Sequence, residues 1–128
     1  MASLYKDTGI VKQGKYKGLN YLIYNYKTHP CCYVEIPEYH KLYVCEDFDD
    51  PELELIDCHG GITFARFEDF GVGRKFYIGW DFAHFNDYLN DDWLIKANIP
   101  EKFIPKGRKK WTQKELIQEC KNVIEQIV

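Results

Sequence analysis

The chain has 128 residues and a mass of 15.2 kDa, 45% hydrophobic and 29% charged, with a net charge of −3 and a pI near 5.8. These figures fit one soluble globular domain and exclude a disordered chain, and the acidic balance argues against a globally basic nucleic-acid binder. No run approaches the ~18 apolar residues of a membrane span, and Met1-Ala2-Ser3-Leu4-Tyr5-Lys6 has no apolar core of a secretory signal.

Residues 1–18, rich in Gly and Lys, read as an edge strand or a loose arm. Leu19 to Lys27 is rich in Tyr, Leu and Ile and predicts a strand, broken by Thr28-His29-Pro30. Cys32 to Ile36 predicts a second strand, stopped by Pro37. An irregular acidic stretch holds Glu46, Asp47, Asp49, Asp50, Glu52, Glu54 and Asp57, most simply a solvated surface. Leu53 to Cys58 reads as a further strand. Ile62 to Phe67 and Lys75 to Trp80 read as a hairpin around Phe70-Gly71-Val72-Gly73. Residues 85–111 look mainly like loop, interrupted by Pro100 and Pro105, with a basic run at Lys106, Arg108, Lys109 and Lys110.

The last segment is the clearest. Thr112 and Glu115 fit a capping box, and Leu116, Cys120, Val123, Ile124 and Ile127 recur at helical spacing. The expected fold is α+β: a single domain with an antiparallel sheet of about five strands and one C-terminal amphipathic helix packed on it.

Five cysteines (Cys31, Cys32, Cys45, Cys58, Cys120), without a C-x-x-C, read as reduced thiols of a cytoplasmic protein. The composition is unusual in its 16% aromatic content: ten Tyr, eight Phe and three Trp. Aromatic rings suit strands and also line pockets that stack flat ligands.

Two polar clusters carry the functional argument: His59-Gly60-Gly61-Ile62-Thr63 and Gly79-Trp80-Asp81-Phe82-Ala83-His84. A hairpin centred on Gly71 pairs Ile62 with Trp80, Phe64 with Ile78 and Arg66 with Phe76. That arrangement places Phe64, Phe76 and Trp80 on a core face. It places His59, Thr63, Tyr77 and Asp81 on the other, with His84 just beyond the strand. The glycines let backbone amides approach an anion. Asp81 suits ribose hydroxyls, a metal ion or the orientation of a histidine, and His59 and His84 can hold phosphate or move protons near neutral pH. Gly60-Gly61 as a simple bend is the competing reading. Cys45, Cys58, His59 and His84 lack standard zinc-ligand spacing, and no cofactor or metal is called for. The candidate ligand-binding set is His59, Gly60, Gly61, Thr63, Tyr77, Trp80, Asp81, Phe82 and His84.

Ile36-Pro37-Glu38-Tyr39-His40, His59-Gly60-Gly61-Ile62-Thr63-Phe64, Gly79-Trp80-Asp81-Phe82-Ala83-His84 with Asp87, and Glu119-Cys120 together resemble a family of small phage and prophage proteins. Its pattern is I-P-x-x-H, H-G-G-[IL]-T-[FY], G-[FW]-D-x-A-H and E-C in a final helix. The resemblance spans about residues 31–128 with an unmatched stretch near 88–111, and Asn86 stands before Asp87 where the family pattern has glycine. It implies a phage origin and action in the host cytoplasm. By analogy of size and origin, such proteins counter host defence, some by sequestering nucleotide-derived signals and others by cleaving them.

The leading expectation is a binding protein that sequesters a nucleotide-like small molecule of host immunity. One alternative is a phosphodiesterase-like hydrolase at the same site, with His59 and His84 as acid and base and Asp81 orienting one of them. Another is an inhibitor that covers a host defence protein through exposed aromatics and the acidic stretch. Neither a membrane nor a nucleic acid is an expected partner, and self-association stays open.

Overall fold

The computed structural model describes residues 9–26, 29–45, 51–83, 87, 97–100, 102 and 108–128. Within them, Gly9–Tyr16 (β1), Leu19–Asn25 (β2) and Pro30–Glu35 (β3) form an antiparallel meander. A helical turn, Pro51–Glu54 (α1), follows. The hairpin of Phe64–Asp69 (β4) and Arg74–Asp81 (β5) then joins the sheet, and Gln113–Ile127 forms the long helix (α2). The strand order is β1-β2-β3-β5-β4, every pairing antiparallel. This is the expected α+β fold of five strands and one C-terminal helix, with the N-terminal segment as edge strand β1.

The expected strand over Leu53–Cys58 does not form. Pro51 begins a helical turn, where a missing backbone N–H costs nothing, and the Ile56 amide donates to the Leu53 carbonyl. Leu53 and Ile56 are buried while Leu55 is 83% exposed. The apolar pair is thus spaced by three, as on one side of a helical turn, rather than by two.

The hairpin register is also one residue from the expected one. Phe64 faces Gly79, Ala65 faces Ile78 and Phe67 faces Phe76. The cause is the four-residue turn Phe70-Gly71-Val72-Gly73. The Asp69 Oδ1 accepts from the amides of Gly71 (2.7 Å) and Gly73 (3.1 Å), and both glycines have positive φ. A slip of one exchanges faces. Ala65 and Phe67 therefore face the helix with Phe76, and Phe64 goes to the opposite side.

The main core lies between the sheet and α2. Leu116, Cys120, Val123 and Ile124 are buried against Ile23, Cys32, Val34, Ile78, Trp80 and Phe82. Burying each large apolar side chain contributes about 1.5–3 kcal/mol. α2 starts as the sequence predicts. The Thr112 hydroxyl accepts from the Glu115 amide (3.2 Å), and the Glu115 carboxylate accepts from the Thr112 amide (3.1 Å). A hydrogen bond from Lys109, then those from Thr112, hold the Glu115 carboxyl below its usual range, so this cap is complete at neutral pH and weakens as acid protonates Glu115. Replacing Thr112 by alanine is expected to cost about 1 kcal/mol, read as a lower urea midpoint with an unchanged m-value.

The far end of α2 is tied down by His40. Its Nδ1 accepts from the Leu42 amide (3.1 Å), so its Nε2 carries the proton and donates to the Ile127 carbonyl (2.7 Å). The histidine of the I-P-x-x-H segment is thus an anchor for the helix end.

One helix covers only one sheet face, and aromatic rings cover the other. Leu22, Cys31, Tyr33 and Tyr77 are buried there beneath Tyr24, Tyr26, Phe64 and Phe70. Phe70, carried by the β4–β5 turn, folds back with ring centroids 4.6 Å from Tyr33, 5.1 Å from Tyr77 and 5.4 Å from Tyr24. Much of the aromatic excess serves this second, helix-free core.

Candidate functional site

The His-Gly-Gly segment is a tight turn held from two directions. The Gly61 amide donates to the Cys58 carbonyl (3.1 Å), with φ at +72° for Gly60 and +82° for Gly61. Both are left-handed values that glycine adopts without strain. The α2 side chains fasten the preceding backbone. Gln126 accepts from the Asp57 amide and donates to the Asp57 carbonyl, both at 2.7 Å, and the Glu119 Oε1 accepts from the His59 amide (3.1 Å).

The turn sends His59 to the helix side of the sheet. Its ring stacks on Phe82 (centroids 5.0 Å apart, planes 7° apart) and meets Trp111 at 4.8 Å. Its Nε2 lies 2.7 Å from the Asp87 Oδ2, and the Trp111 Nε1–H donates to the Asp87 Oδ1 (2.8 Å). Asp87 is 1% exposed. A buried carboxylate is costly unless donors reach its oxygens, and here one reaches each. Beside His59 runs a groove of about 450 Å³ lined by Asp57, Cys58, Trp111, Glu119 and Asn122. Burial, then the nearby Glu119 charge, pushes the Cys58 thiol up to about 12, so it is protonated at neutral pH.

Thr63 and Asp81 lie on the other face. The Thr63 hydroxyl donates to the Asp81 Oδ2 (3.2 Å), and the Ala83 amide donates to its Oδ1 (3.1 Å). They border a pocket of about 420 Å³ whose other walls include Tyr26, His29, Tyr33, Phe64 and Arg66. The Arg66 guanidinium lies over the Phe64 ring, 4.5 Å from its centroid. The Tyr26 and Tyr33 hydroxyls bond each other at 2.9 Å, and burial raises both pKa values. Burial and then the Asp81 charge push Cys31 up to about 12. The pocket floor is therefore uncharged at neutral pH, with Arg66 at one end and Asp81 at the other. The Arg66 backbone sits opposite Tyr77, four residues along β5 from Asp81, and its guanidinium folds back over Phe64, which faces Gly79.

The expected single site is thus divided. His59 and Phe82 lie on the helix side, and Thr63 and Asp81 on the helix-free side. Trp80 is 1% exposed and belongs to the main core while also bordering the Thr63–Asp81 pocket, and Phe82 is buried at 0%. Tyr77 lines a separate hollow of about 450 Å³ with Lys15, Glu35 and Lys75. Gly60 and Gly61 form the turn, and the Gly61 amide is engaged within it. His84 lies outside the described residues, as do Phe85 and residues 46–50 of the acidic stretch. The carboxylate that orients His59 is Asp87, not Asp81, because the face change at Gly60-Gly61 separates His59 from the strand that carries Asp81.

Sequence reading did not place Trp111 or Tyr33 at either site. Trp111 immediately precedes the helix cap, a position that offers no periodic signal. The residues Leu22 and Tyr24 in β2, and Cys31 and Tyr33 in β3, do alternate, and that pattern marks the helix-free face.

Among the described residues, no group of three or more His, Cys, Asp or Glu is placed to hold a metal ion. No helix among them is long and apolar enough to cross a membrane. The described residues define an α+β protein with a one-sided helical layer, with the His59 groove on the helix side and the Thr63–Asp81 pocket on the helix-free side. Comparison with protein-family models, curated proteins and solved structures gives no match.

Proposed function

We propose that the protein binds a nucleotide-like small molecule in the pocket on its helix-free face and sequesters it intact, as a phage-encoded antagonist of host nucleotide signalling. The supporting observation is the order of groups across that pocket: a cation at Arg66, the rings of Phe64, Tyr33 and Tyr26, then the Thr63–Asp81 pair. Arg66 suits a phosphate, since a guanidinium matches its oxygens in a planar fork. The rings suit a base. Asp81 suits ribose hydroxyls, which donate to a carboxylate. A cation and a carboxylate on the two sides of this ring wall suit a molecule with an anion at one end and hydroxyls at the other. The resemblance to phage proteins favours a host signal as the ligand.

Calorimetric titration with a panel of linear and cyclic nucleotides tests this. Binding is expected, and Arg66→Ala should weaken it about 10- to 100-fold, the range for losing charge-assisted hydrogen bonds. Asp81→Asn should weaken ribonucleotides more than their 2′-deoxy analogues. Ligand released by denaturing the complex should be intact by mass. A panel without any binder, or recovery of a cleaved product, would overturn sequestration.

A further inference from the structure

The sheet ends on β4, and this edge is built differently from the β1 edge at the other end. An open edge invites another strand unless a bulge, lysines or a proline blunt it. β1 is blunted in this way. Its pairing shifts at a bulge between Ile10 and Lys12, and its charged residues, Lys12 and Lys15, are both basic. β4 runs in unbroken register from Phe64 to Asp69, without lysine or proline. Its outward backbone groups follow from β5. The Ile36 amide donates to the Phe76 carbonyl (2.8 Å), so Phe76 turns its backbone groups toward β3, and Phe67 opposite it turns its own away from the sheet. By alternation, Ala65 and Asp69 do the same. Among the described residues, no hydrogen bond takes up the outward groups of Ala65 or Phe67. The Asp69 amide donates to the carboxylate of its neighbour Glu68 (3.0 Å), which brings that acid to the open edge. Arg66 and Glu68 are exposed, and Ala65 and Phe67 sit half-buried on the helix side.

We propose that a second copy of this chain pairs antiparallel on β4, joining two five-stranded sheets into one. The charges choose the register. A pair centred on Arg66 sets arginine against arginine, and one centred on Glu68 sets glutamate against glutamate, both destabilising. A pair centred on Ala65 carries Glu68 past the start of the partner strand. Centring on Phe67 sets Arg66 opposite the partner's Glu68 and, by symmetry, Glu68 opposite the partner's Arg66. Those positions are non-hydrogen-bonded ones, where facing side chains lie closest. The same register sets Phe67 against Phe67 and Ala65 against Asp69, the positions whose backbone groups point outward, for about six hydrogen bonds. In the pair the Asp69 amide donates to the partner's Ala65 carbonyl, which releases Glu68 to the partner's Arg66. Opposite residues share a face, so both α2 helices lie on one side of the joined sheet and both Arg66 pockets on the other. A guanidinium has five N–H donors, so the ion pair leaves others for a ligand. The pairing itself does not rest on the nucleotide reading.

Sedimentation equilibrium from micromolar to millimolar chain tests this. The mass should rise from 15.2 kDa toward twice that value. Arg66→Glu and Glu68→Arg each reverse two contacts by symmetry, and each should weaken the dimer about 10- to 100-fold. The double variant Arg66→Glu/Glu68→Arg faces opposite charges again and should recover association close to that of the wild type. Ala65→Pro removes an outward N–H that the ladder to β5 does not use, and should give a folded monomer. Unchanged far-UV circular dichroism shows that each variant is folded. The proposal is overturned if the chain stays monomeric at millimolar concentration, if the double variant associates no better than the single ones, or if the dimer survives Ala65→Pro. Nucleotide titration of Glu68→Arg, which keeps Arg66, is read separately, so pairing and ligand binding can each fail alone.

Discussion

Replacing Gly79 by alanine is expected to lower the unfolding free energy by about 3 kcal/mol, the upper part of the usual range for overpacking a core. Gly79 is buried in β5 and flanked by β3 and β4. A Cβ there would come within 2.5 Å and 2.7 Å of the Tyr33 ring and 2.9 Å of the Cys32 carbonyl oxygen. The Tyr33 ring has little room to yield, because Phe64, Phe70 and Tyr77 all pack on it. The carbonyl belongs to the sheet backbone and has less. Gly14 is the comparison. A Cβ there meets the Tyr21 hydroxyl and the ring carbons beside it on the outer strand pair, but no backbone atom. Urea unfolding should show a large fall in midpoint for Gly79→Ala and a smaller one for Gly14→Ala. Equal midpoints would show that the helix-free face is loosely packed.

Replacing Asp87 by alanine is expected to cost about 3 kcal/mol, because it takes the acceptor from two donors at once in a nearly water-free setting. The Trp111 Nε1–H and the His59 imidazole both lose it. Asparagine keeps one acceptor oxygen but turns an amide N–H₂ toward the second donor, so Asp87→Asn should cost less, about 1–2 kcal/mol. Denaturant titrations followed by far-UV circular dichroism give both values, and indole fluorescence reports the change around Trp111. A loss below about 1 kcal/mol for alanine would mean that the carboxylate contributes little to holding His59, given what a buried unsatisfied donor costs.

The fold class was legible because its signals are local and repeated. The helix announced itself through Thr112, Glu115 and five apolar residues at helical spacing, every one of which is buried. β2 and β3 followed from aromatic and β-branched runs ended by turn residues. Leu53–Cys58 misled because a short apolar run satisfies strand and helical spacing alike, and Pro51 decided between them only by starting a turn. The hairpin register misled because its loop holds two glycines, and the Asp69 carboxylate, not the position of either glycine, set the loop length.

The site was legible in its parts and not in their assembly. The sequence alone identified His59, Thr63 and Asp81 as polar residues beside glycines and aromatics, and it identified the α+β class, because both rest on spacing along one chain. Only the tertiary structure decided that Thr63 and Asp81 share one face with Arg66 and Tyr33 while His59 turns to the other. Two positive-φ glycines reverse the chain there, and two α2 side chains, Glu119 and Gln126, fasten it. It also decided that the partner of His59 is Asp87, 28 residues away. Asp87 is one acidic residue among twenty in composition. Burial between a histidine and an indole is what makes it different, and burial is a property of the folded chain.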